Sequence, residues 1–403
     1  MSPQAASQAK TQTGAQTTPG HTGSSPNQRP VDSVQELIGT TPLLHIAKHA
    51  FPAESGINIY AKLEYWNPGG SVKDRTAALM IAQAEQCGLL KPGGTIIEGT
   101  AGNMGLGIVT AAAGKGYRII LVVPTKFSVE KQTLLRALGA EVINTPREQG
   151  MRGATARANR LLLEMPDAIS LGQFENPANP MAHYLSTGPE IGQALNGQVD
   201  YLVAGAGSGG TFSGVVRYLK QQDPTVCGVL ADPLGSTIGG GEHADYNIEG
   251  IGNDFIPSTM DMSLVDKVIK VSDADALATV QSLAVNEGLI VGTSSGAAAW
   301  AALELAHSLN NHNGAQGGKT TDGGEASDVN AHNTGSKGDK GSDDRETSDK
   351  SARDRDVCRR RHQRPINIVT ILPDRGDRYF SKDIFGQSNK NTPAALYETS
   401  EAS

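Results

Sequence analysis

Short apolar runs alternate with longer stretches of helical periodicity along most of this chain. Strands are predicted by the apolar runs INIYAKLEY, TIIEGT, YRIILVVP, AEVINTP, DYLVAGAG, CGVLADP and INIVTILP. Helices are predicted by the stretches between them, such as TAALMIAQAEQCG, VEKQTLLRALGA and TFSGVVRYLKQQ. Repeated strand–helix units indicate an α/β fold with mainly parallel sheets flanked by helices. Ligands of such folds bind beyond the carboxyl ends of the strands.

Three segments depart from this pattern because they carry too few apolar residues to form a core. Residues 1–30 predict a disordered N-terminal tail, residues 310–364 a disordered polar insertion, and residues 387–403 a flexible C-terminal tail. The cost of closing a loop grows slowly with its length, so the surrounding fold can accommodate the insertion.

Composition narrows the class of protein. The 403 residues include 48 glycines and only 4% aromatic residues, which favours an α/β protein with many strand–helix turns. A net charge of −7 disfavours nonspecific binding to nucleic acid or to an anionic membrane. The three cysteines are far apart and form no CxxC pair, so we expect no metal site, no disulfide framework and a cytoplasmic location. No apolar run approaches the roughly 20 residues of a membrane span.

The stretch NPGGSVKDR, residues 67–75, places a lysine at the start of a predicted helix. The positive end of the helix dipole disfavours the charged form of Lys73, which suits an amine that forms an imine with a ligand. Asp74 and Arg75 then lie in the first helical turn. Taken alone, Lys73 is equally well interpreted as a solvated lysine.

Two glycine-rich turns each connect a predicted strand to a predicted helix. In EGTAGNMGLG, residues 98–107, the free N–H groups of the helix start suit a carboxylate, and Asn103 adds an amide. In AGAGSGGTFSG, residues 204–214, the backbone and the hydroxyls of Ser208 and Thr211 suit a phosphate. Each is also consistent with an ordinary glycine-rich turn.

A fourth motif, TILPDRGDRYFS, follows the last predicted strand, where polar residues usually face the ligand crevice. Together, the four motifs indicate a small ligand with a phosphate, a carboxylate and a lysine partner. Pyridoxal 5′-phosphate carrying an amino acid meets all three demands.

A dinucleotide site is the main alternative. Gly205, Gly207 and Gly210 satisfy GxGxxG, and Asp232 ends the next predicted strand about 20 residues later. This NAD(P)-dependent oxidoreductase hypothesis leaves Lys73 without a role.

The ordered set of motifs resembles the cysteine synthase and cystathionine β-synthase family of fold type II pyridoxal-phosphate enzymes. The resemblance covers about residues 32–309 and 365–386 and includes ELIGTTPLL, NPGGSVKDR, GTAGNMG, QFENPANP, STGPEI, GAGSGGTFSG, EGIGNDFIP, GTSSGAA and ILPDRGDRYFS. ADPLGS and EGIGNDFIPSTMD look closer to the bacterial O-acetylserine-using cystathionine β-synthase-like members.

The resemblance implies a role for each matched position. Lys73 would bind the cofactor as an imine and move the Cα proton. The remaining cofactor contacts would come from Asn103, Gly207, Ser208, Gly209, Gly210, Thr211, Asp374 and Arg375. The substrate would be bound by Thr100, Ala101, Gly102, Asn103, Gln173 and Gly250.

The resemblance also implies the reaction, a β-replacement on O-acetylserine or serine through an aminoacrylate. Sulfide or a thiol would be the nucleophile and L-cysteine the product, or cystathionine if homocysteine is used. A homodimer is implied, and serine acetyltransferase is a possible partner. The smaller domain, residues 77–179, would close over the substrate. The larger cofactor-binding domain would comprise residues 31–76, 180–309 and 365–386.

Three positions depart from the family pattern. Ala101 stands where the family usually has serine, as it does in some bacterial relatives. Met104 stands where the family usually has threonine, and Arg375 where it usually offers a serine hydroxyl to the pyridine nitrogen. Arg375 has only donors and cannot accept a hydrogen bond from a protonated pyridine. A catalytically weakened binding protein of the same fold is therefore a third hypothesis.

Overall fold

The structure is a computed structural model that describes residues 30–100, 102–314, 364–382 and 384–385. Ala101 lies outside the described residues, as do both predicted terminal tails except Pro30 and most of the predicted polar insertion. From Ser33 onward the described residues form one compact unit.

The described strands are β1 (Leu43–Ile46), β2 (Ile57–Leu63), β3 (Thr95–Gly99), β4 (Arg118–Pro124), β5 (Glu141–Thr145), β6 (Ala168–Ile169), β7 (Tyr201–Gly205), β8 (Cys227–Pro233), β9 (Lys267–Val271) and β10 (Ile366–Leu372). The described helices are α1 (Lys73–Gln86), α2 (Asn103–Ala111), α3 (Val129–Ala137), α4 (Gly150–Glu164), α5 (Ala178–Ala182), α6 (Gly188–Ala194), α7 (Gly210–Gln222), α8 (Asp273–Glu287) and α9 (Thr293–Gly314). A single π-helical turn, His183–Thr187, connects α5 to α6.

Two sheets organise these elements. The larger has the order β1-β2-β10-β7-β8-β9 and the smaller the order β5-β4-β3-β6. The pair β1–β2 is antiparallel, and the other described pairs are parallel. This arrangement confirms the predicted α/β class with mainly parallel sheets.

The apolar runs are explained by burial on both faces of each sheet. In β10, Ile366 and Ile368 join one hydrophobic cluster, while Val369 and Ile371 join the cluster on the opposite face. Helices cover both faces, so each strand needs apolar side chains at successive positions rather than at alternate ones.

The strands of the smaller sheet all lie within residues 77–179, and those of the larger sheet lie outside that range. The division into a larger domain and a smaller mobile domain stays a prediction. The boundary of the polar insertion differs from the predicted one, because α9 continues to Gly314 and residues 310–314 are helical.

None of the described helices combines the length and apolar character of a membrane span. Among the described residues, no group of three or more His, Cys, Asp and Glu side chains could hold a metal ion.

Candidate active site

Lys73 is the first residue of α1 and is partly buried. The preceding turn is tied to the end of β10, since Val72 N donates to the Pro373 carbonyl at 2.8 Å. Burial lowers the pKa of Lys73 to about 8, against the opposing effect of the Asp374 charge, and the Lys131 charge lowers it further. A substantial fraction of this amine is therefore neutral, and hence nucleophilic, just above neutral pH.

The first turn of α1 is anchored from behind by Arg75. Arg75 pairs with Glu64, which is fully buried, at 2.7 Å and with Glu190 at 2.6 Å. Burial alone would raise the pKa of Glu64, but the charge and hydrogen bonds of Arg75 outweigh it and hold that pKa at about 2. This ion pair fixes the start of α1 and hence the position of the Lys73 backbone.

Helix α2 packs directly on the start of α1. A Cβ atom at Gly107 would lie 2.6 Å from the Lys73 carbonyl oxygen, so glycine permits this close approach. This contact places the N-terminal part of α2, which begins at Asn103, beside the first turn of α1, which begins at Lys73.

The glycine-rich loop between β7 and α7 is shaped by positions that exclude side chains. Gly209 has φ +81°, and a Cβ at Gly207 would lie 2.4 Å from the Gly250 carbonyl oxygen. The carbonyls of Gly207 and Ser208 accept hydrogen bonds from Asn253 and Thr259, which fixes the orientation of the loop peptides. Helix α7 follows with its N-terminal N–H groups at this loop, a favourable site for an anion.

A cavity that is partly open to solvent joins the Lys73 turn, the glycine-rich loop and the end of β10. It is lined by Val72, Lys73, Ala204, Gly205, Gly207, Ser208, Gly209, Thr211, Gly250, Ile251, Ile371 and Pro373. The predicted lysine, most of the predicted phosphate loop and Gly250 therefore share one pocket. Gly210 begins α7 at its edge.

The predicted carboxylate loop lies at the start of α2 and does not contribute to the described lining of this cavity. The Thr100 hydroxyl accepts hydrogen bonds from Gly102 N at 3.1 Å and Gly105 N at 3.3 Å. The hydroxyl proton of Thr100 is not used in either of these two bonds. Gln173 lies shortly before α5 in the chain and is buried. Its backbone carbonyl accepts a hydrogen bond from the Asn179 side chain.

Met104 does not face a ligand site. It is 2% exposed and packs in the hydrophobic cluster of the smaller sheet. The side chain that departs from the family pattern thus fills the core behind the loop.

Asp374 and Arg375, adjacent in the chain, point to different environments. Asp374 is fully buried; its Oδ2 accepts from Asn103 Nδ2 at 2.7 Å, and its Oδ1 is buried without a hydrogen bond. Arg375 is exposed, and its Nε donates to the Tyr65 carbonyl at 3.1 Å. The contacts of Arg375 therefore do not support the predicted position of its guanidinium at the ligand.

Sequence reasoning missed a buried polar cluster beside Asp374. Lys131 Nζ lies 2.7 Å from the Tyr379 hydroxyl, 3.2 Å from Glu249 Oε2 and 3.7 Å from Asp374 Oδ2. Lys382 also pairs with Glu249. Burial and the neighbouring charge of Asp374 raise the pKa of Tyr379, which therefore remains a neutral phenol and donates to Asp374. The signal in the sequence was that Lys131 lies on the same face of α3 as the apolar Leu135, which is buried.

The acidic residue of the dinucleotide alternative is engaged elsewhere. Asp232 is buried, pairs with Lys270 at 2.6 Å and accepts from Gly239 N at 3.0 Å. Its Oδ2 is thus used to close a turn of the larger sheet.

Comparisons with known proteins agree with the geometry. Residues 34–316 match the family described as "Pyridoxal-phosphate dependent enzyme". The chain is 40% identical over 355 residues to the O-acetylserine dependent cystathionine beta-synthase of Bacillus subtilis (strain 168), spanning 88% of this chain and 98% of that protein. It is 42% identical over 284 residues to a cysteine synthase of Staphylococcus aureus, spanning 70% and 91%. A crystal structure of the O-acetylserine dependent cystathionine beta-synthase from Helicobacter pylori has a TM-score of 0.72 at 36% identity, over 89% of this chain and 99% of that chain.

Proposed function

Because the chain belongs to the family of pyridoxal-phosphate dependent enzymes, we propose that it replaces the β-substituent of O-acetylserine, or of serine, with sulfide or a thiol. The proposed product with sulfide is L-cysteine. The observation that carries this proposal is the shared pocket of Lys73 and the glycine-rich loop at the start of α7.

The described residues fit the cofactor of this family. The loop from Gly207 to Thr211 offers backbone N–H groups and two hydroxyls where a Cβ at Gly207 or Gly209 would collide with neighbouring atoms. Lys73 supplies an amine whose pKa burial lowers to about 8. The bound cofactor supplies an electron sink for a carbanion at Cα.

The protein's own groups perform the remaining tasks. We assign to Lys73 Nζ the covalent link to the cofactor and the removal of the substrate's Cα proton. The Thr100 hydroxyl and the N-terminus of α2 orient the substrate carboxylate, since that hydroxyl proton is not used within the loop. Gly250, beside the phosphate loop, forms part of the pocket wall.

A second candidate is cystathionine synthesis, with homocysteine as the thiol. The observation that favours it is the similarity over 98% of a relative named as an O-acetylserine dependent cystathionine β-synthase. The two candidates share every step up to the arrival of the nucleophile, so the same donor test applies to both.

Borohydride reduction of the cofactor-loaded protein tests the role of Lys73. Peptide mapping should find the reduced cofactor on the peptide that contains Lys73, and Lys73→Ala should abolish the label. Label on another lysine would refute the assignment.

Stopped-flow spectroscopy then identifies the substrates. O-acetylserine should change the cofactor spectrum, and the later addition of sulfide or homocysteine should restore it, with the better nucleophile restoring it faster. A spectrum that does not respond to O-acetylserine or serine would instead support the weakened binding protein.

The finer assignments are proposed with the function. We propose a cytoplasmic homodimer, with serine acetyltransferase as a possible partner, and closure of residues 77–179 over the substrate. Light scattering of the purified protein, alone and with serine acetyltransferase, measures both associations.

A further inference from the structure

The two hydroxyls of the phosphate loop contact a chain of buried polar side chains behind the pocket. Asn179 of α5 contacts Ser208, and His183 of the π-helical turn contacts Thr211. Thr76, one turn after Lys73 in α1, contacts both Asn179 and His183. The sequence motifs did not assign a role to Asn179, His183 or Thr76.

The carbonyl of Gln173 fixes the orientation of the Asn179 amide. Asn179 Nδ2 lies 2.8 Å from that carbonyl and 2.8 Å from Ser208 Oγ. The reversed amide would bring two acceptor oxygens to 2.8 Å, so Nδ2 donates to both and Oδ1 is an acceptor. Ser208 therefore receives a hydrogen bond and keeps its own proton for a ligand.

The Asn179 amide in turn fixes the hydroxyl of Thr76. Thr76 Oγ1 lies 3.3 Å from Asn179 Oδ1 and must donate its single proton there. Its remaining contact, 3.2 Å to His183 Nε2, is a hydrogen bond only if Nε2 carries a proton.

The tautomer of His183 follows. His183 is fully buried, and burial lowers its pKa to about 3, so its ring is neutral and carries one proton. With that proton on Nε2, Nδ1 accepts from the Thr187 hydroxyl at 2.9 Å. The Nε2–H group is then shared between Thr76 and Thr211, which lies 3.1 Å away. Thr211 also receives a hydrogen bond and keeps its proton for a ligand.

We propose that Asn179, Thr76 and His183 are positioning residues that turn the Ser208 and Thr211 hydroxyls into donors toward the cofactor phosphate. Together these three residues form the relay. The inference rests on the proposed placement of the phosphate at Gly207–Thr211. It adds that hydrogen bonds of defined direction connect Thr76, in the helix that carries Lys73, to the loop that holds the phosphate.

The protonation state of His183 in the wild-type chain is a direct test of the relay. In the cofactor-loaded full chain with ¹⁵N-labelled histidines, nitrogen chemical shifts distinguish the two neutral tautomers and the imidazolium. His183→Gln identifies the signal of His183 among the nine histidines. The relay predicts the tautomer protonated at Nε2. A proton on Nδ1, or on both nitrogens, overturns the proposal.

Cofactor affinity tests the function of the relay. Asn179→Leu should weaken pyridoxal 5′-phosphate binding about tenfold, because donation to the phosphate is a charge-assisted hydrogen bond. Binding of pyridoxal, which lacks the phosphate, should be nearly unchanged. Equal losses for both ligands would show a merely structural role and contradict the proposal.

A different variant separates failure of the relay from failure of the proposed function. Thr211→Val removes one phosphate donor directly and should also weaken pyridoxal 5′-phosphate selectively over pyridoxal. Loss of selectivity with Thr211→Val but not with Asn179→Leu would refute the relay alone. If neither variant changes the selectivity, the phosphate is not bound at this loop, and the proposed function's placement of the cofactor fails as well.

Discussion

The reactivity of Lys73 depends on two charged neighbours of opposite sign. Burial is the main cause of its lowered pKa of about 8, while Asp374 raises that pKa and Lys131 lowers it. Both neighbours belong to the buried polar cluster around Tyr379, so the charges of this cluster shift the pKa of the Lys73 amine.

Substitutions of the two neighbours should therefore shift the pKa of Lys73 in opposite directions. Asp374→Asn should lower it, and Lys131→Met should raise it, as read from the pH dependence of covalent cofactor attachment to the apoprotein. Lys126→Met removes the same charge at an exposed position and should leave the profile unchanged. Shifts of equal sign in the first two variants would contradict the electrostatic account.

His183 links burial to acid stability. Its folded-state pKa is lowered to about 3, whereas an unfolded histidine has a pKa of about 6.5. As the pH falls, the unfolded state thus binds a proton before the folded state does. The contribution of His183 to stability is therefore present above pH 6.5 and lost as the pH falls toward 3.

Replacing His183 should remove that part of the acid sensitivity. As the pH falls through this window, the unfolding free energy of His183→Gln should rise relative to that of the wild type by up to about 1.4 kcal/mol per pH unit. Urea unfolding at several pH values measures this difference. His243→Gln, at an exposed site, serves as the control. Parallel pH profiles for wild type and His183→Gln would exclude His183 as the source.

At the scale of single elements, strongly apolar strands were predicted well and polar or short elements were not. Helix α4 buries only Ala154, Ala158 and Leu161, so its apolar face is narrow and built from small residues. Strand β1 has four residues and pairs antiparallel at the edge of the larger sheet, so it lacks the long apolar run of a central strand. For these reasons the apolar pattern of the sequence predicted neither α4 nor β1.

The start of α1 depends on its buried ion pair. Arg75→Met should destabilise the fold by about 3–5 kcal/mol, because it leaves the Glu64 carboxylate buried without its partner. Arg118→Met breaks an exposed pair with Glu141 and should cost far less. Chemical denaturation measures both, and similar losses would show that burial of the Arg75 pair has no special weight.

At the scale of the whole molecule, polar contacts join the smaller sheet to the region after β10. Ser128, at the start of α3, donates to the Arg378 carbonyl at 2.6 Å, and Ser381 donates to Glu130 at 2.9 Å. The Lys131–Glu249 pair also connects α3 to the loop beside the glycine-rich turn. These contacts lie where the proposed closure of residues 77–179 would take place.

A double-mutant cycle should show that the Lys131–Glu249 contact couples these parts. Lys131→Met and Glu249→Gln should be non-additive by about 1–3 kcal/mol in unfolding free energy, since both side chains are buried. The partly exposed Lys115–Glu85 pair is the matched control, with a coupling below about 1 kcal/mol. Additive effects at the buried pair would show that it does not connect the two parts.

The sequence by itself determined the α/β class and the motifs that carry Lys73 and the glycine-rich loop before α7. It could do so because apolar runs and glycine-rich turns are local patterns dictated by backbone geometry and burial. It also indicated that the end of β10 belongs to the site.

The tertiary structure decided which side chains of those motifs face one another. Whether Asp374 or Arg375 turns inward, and whether Met104 lies in the pocket or the core, depends on packing between segments far apart in the chain. The relay and the Lys131 cluster likewise join side chains from separate elements. Hydrogen-bond direction and buried charge pairing are set by such long-range contacts, and a local pattern does not encode them.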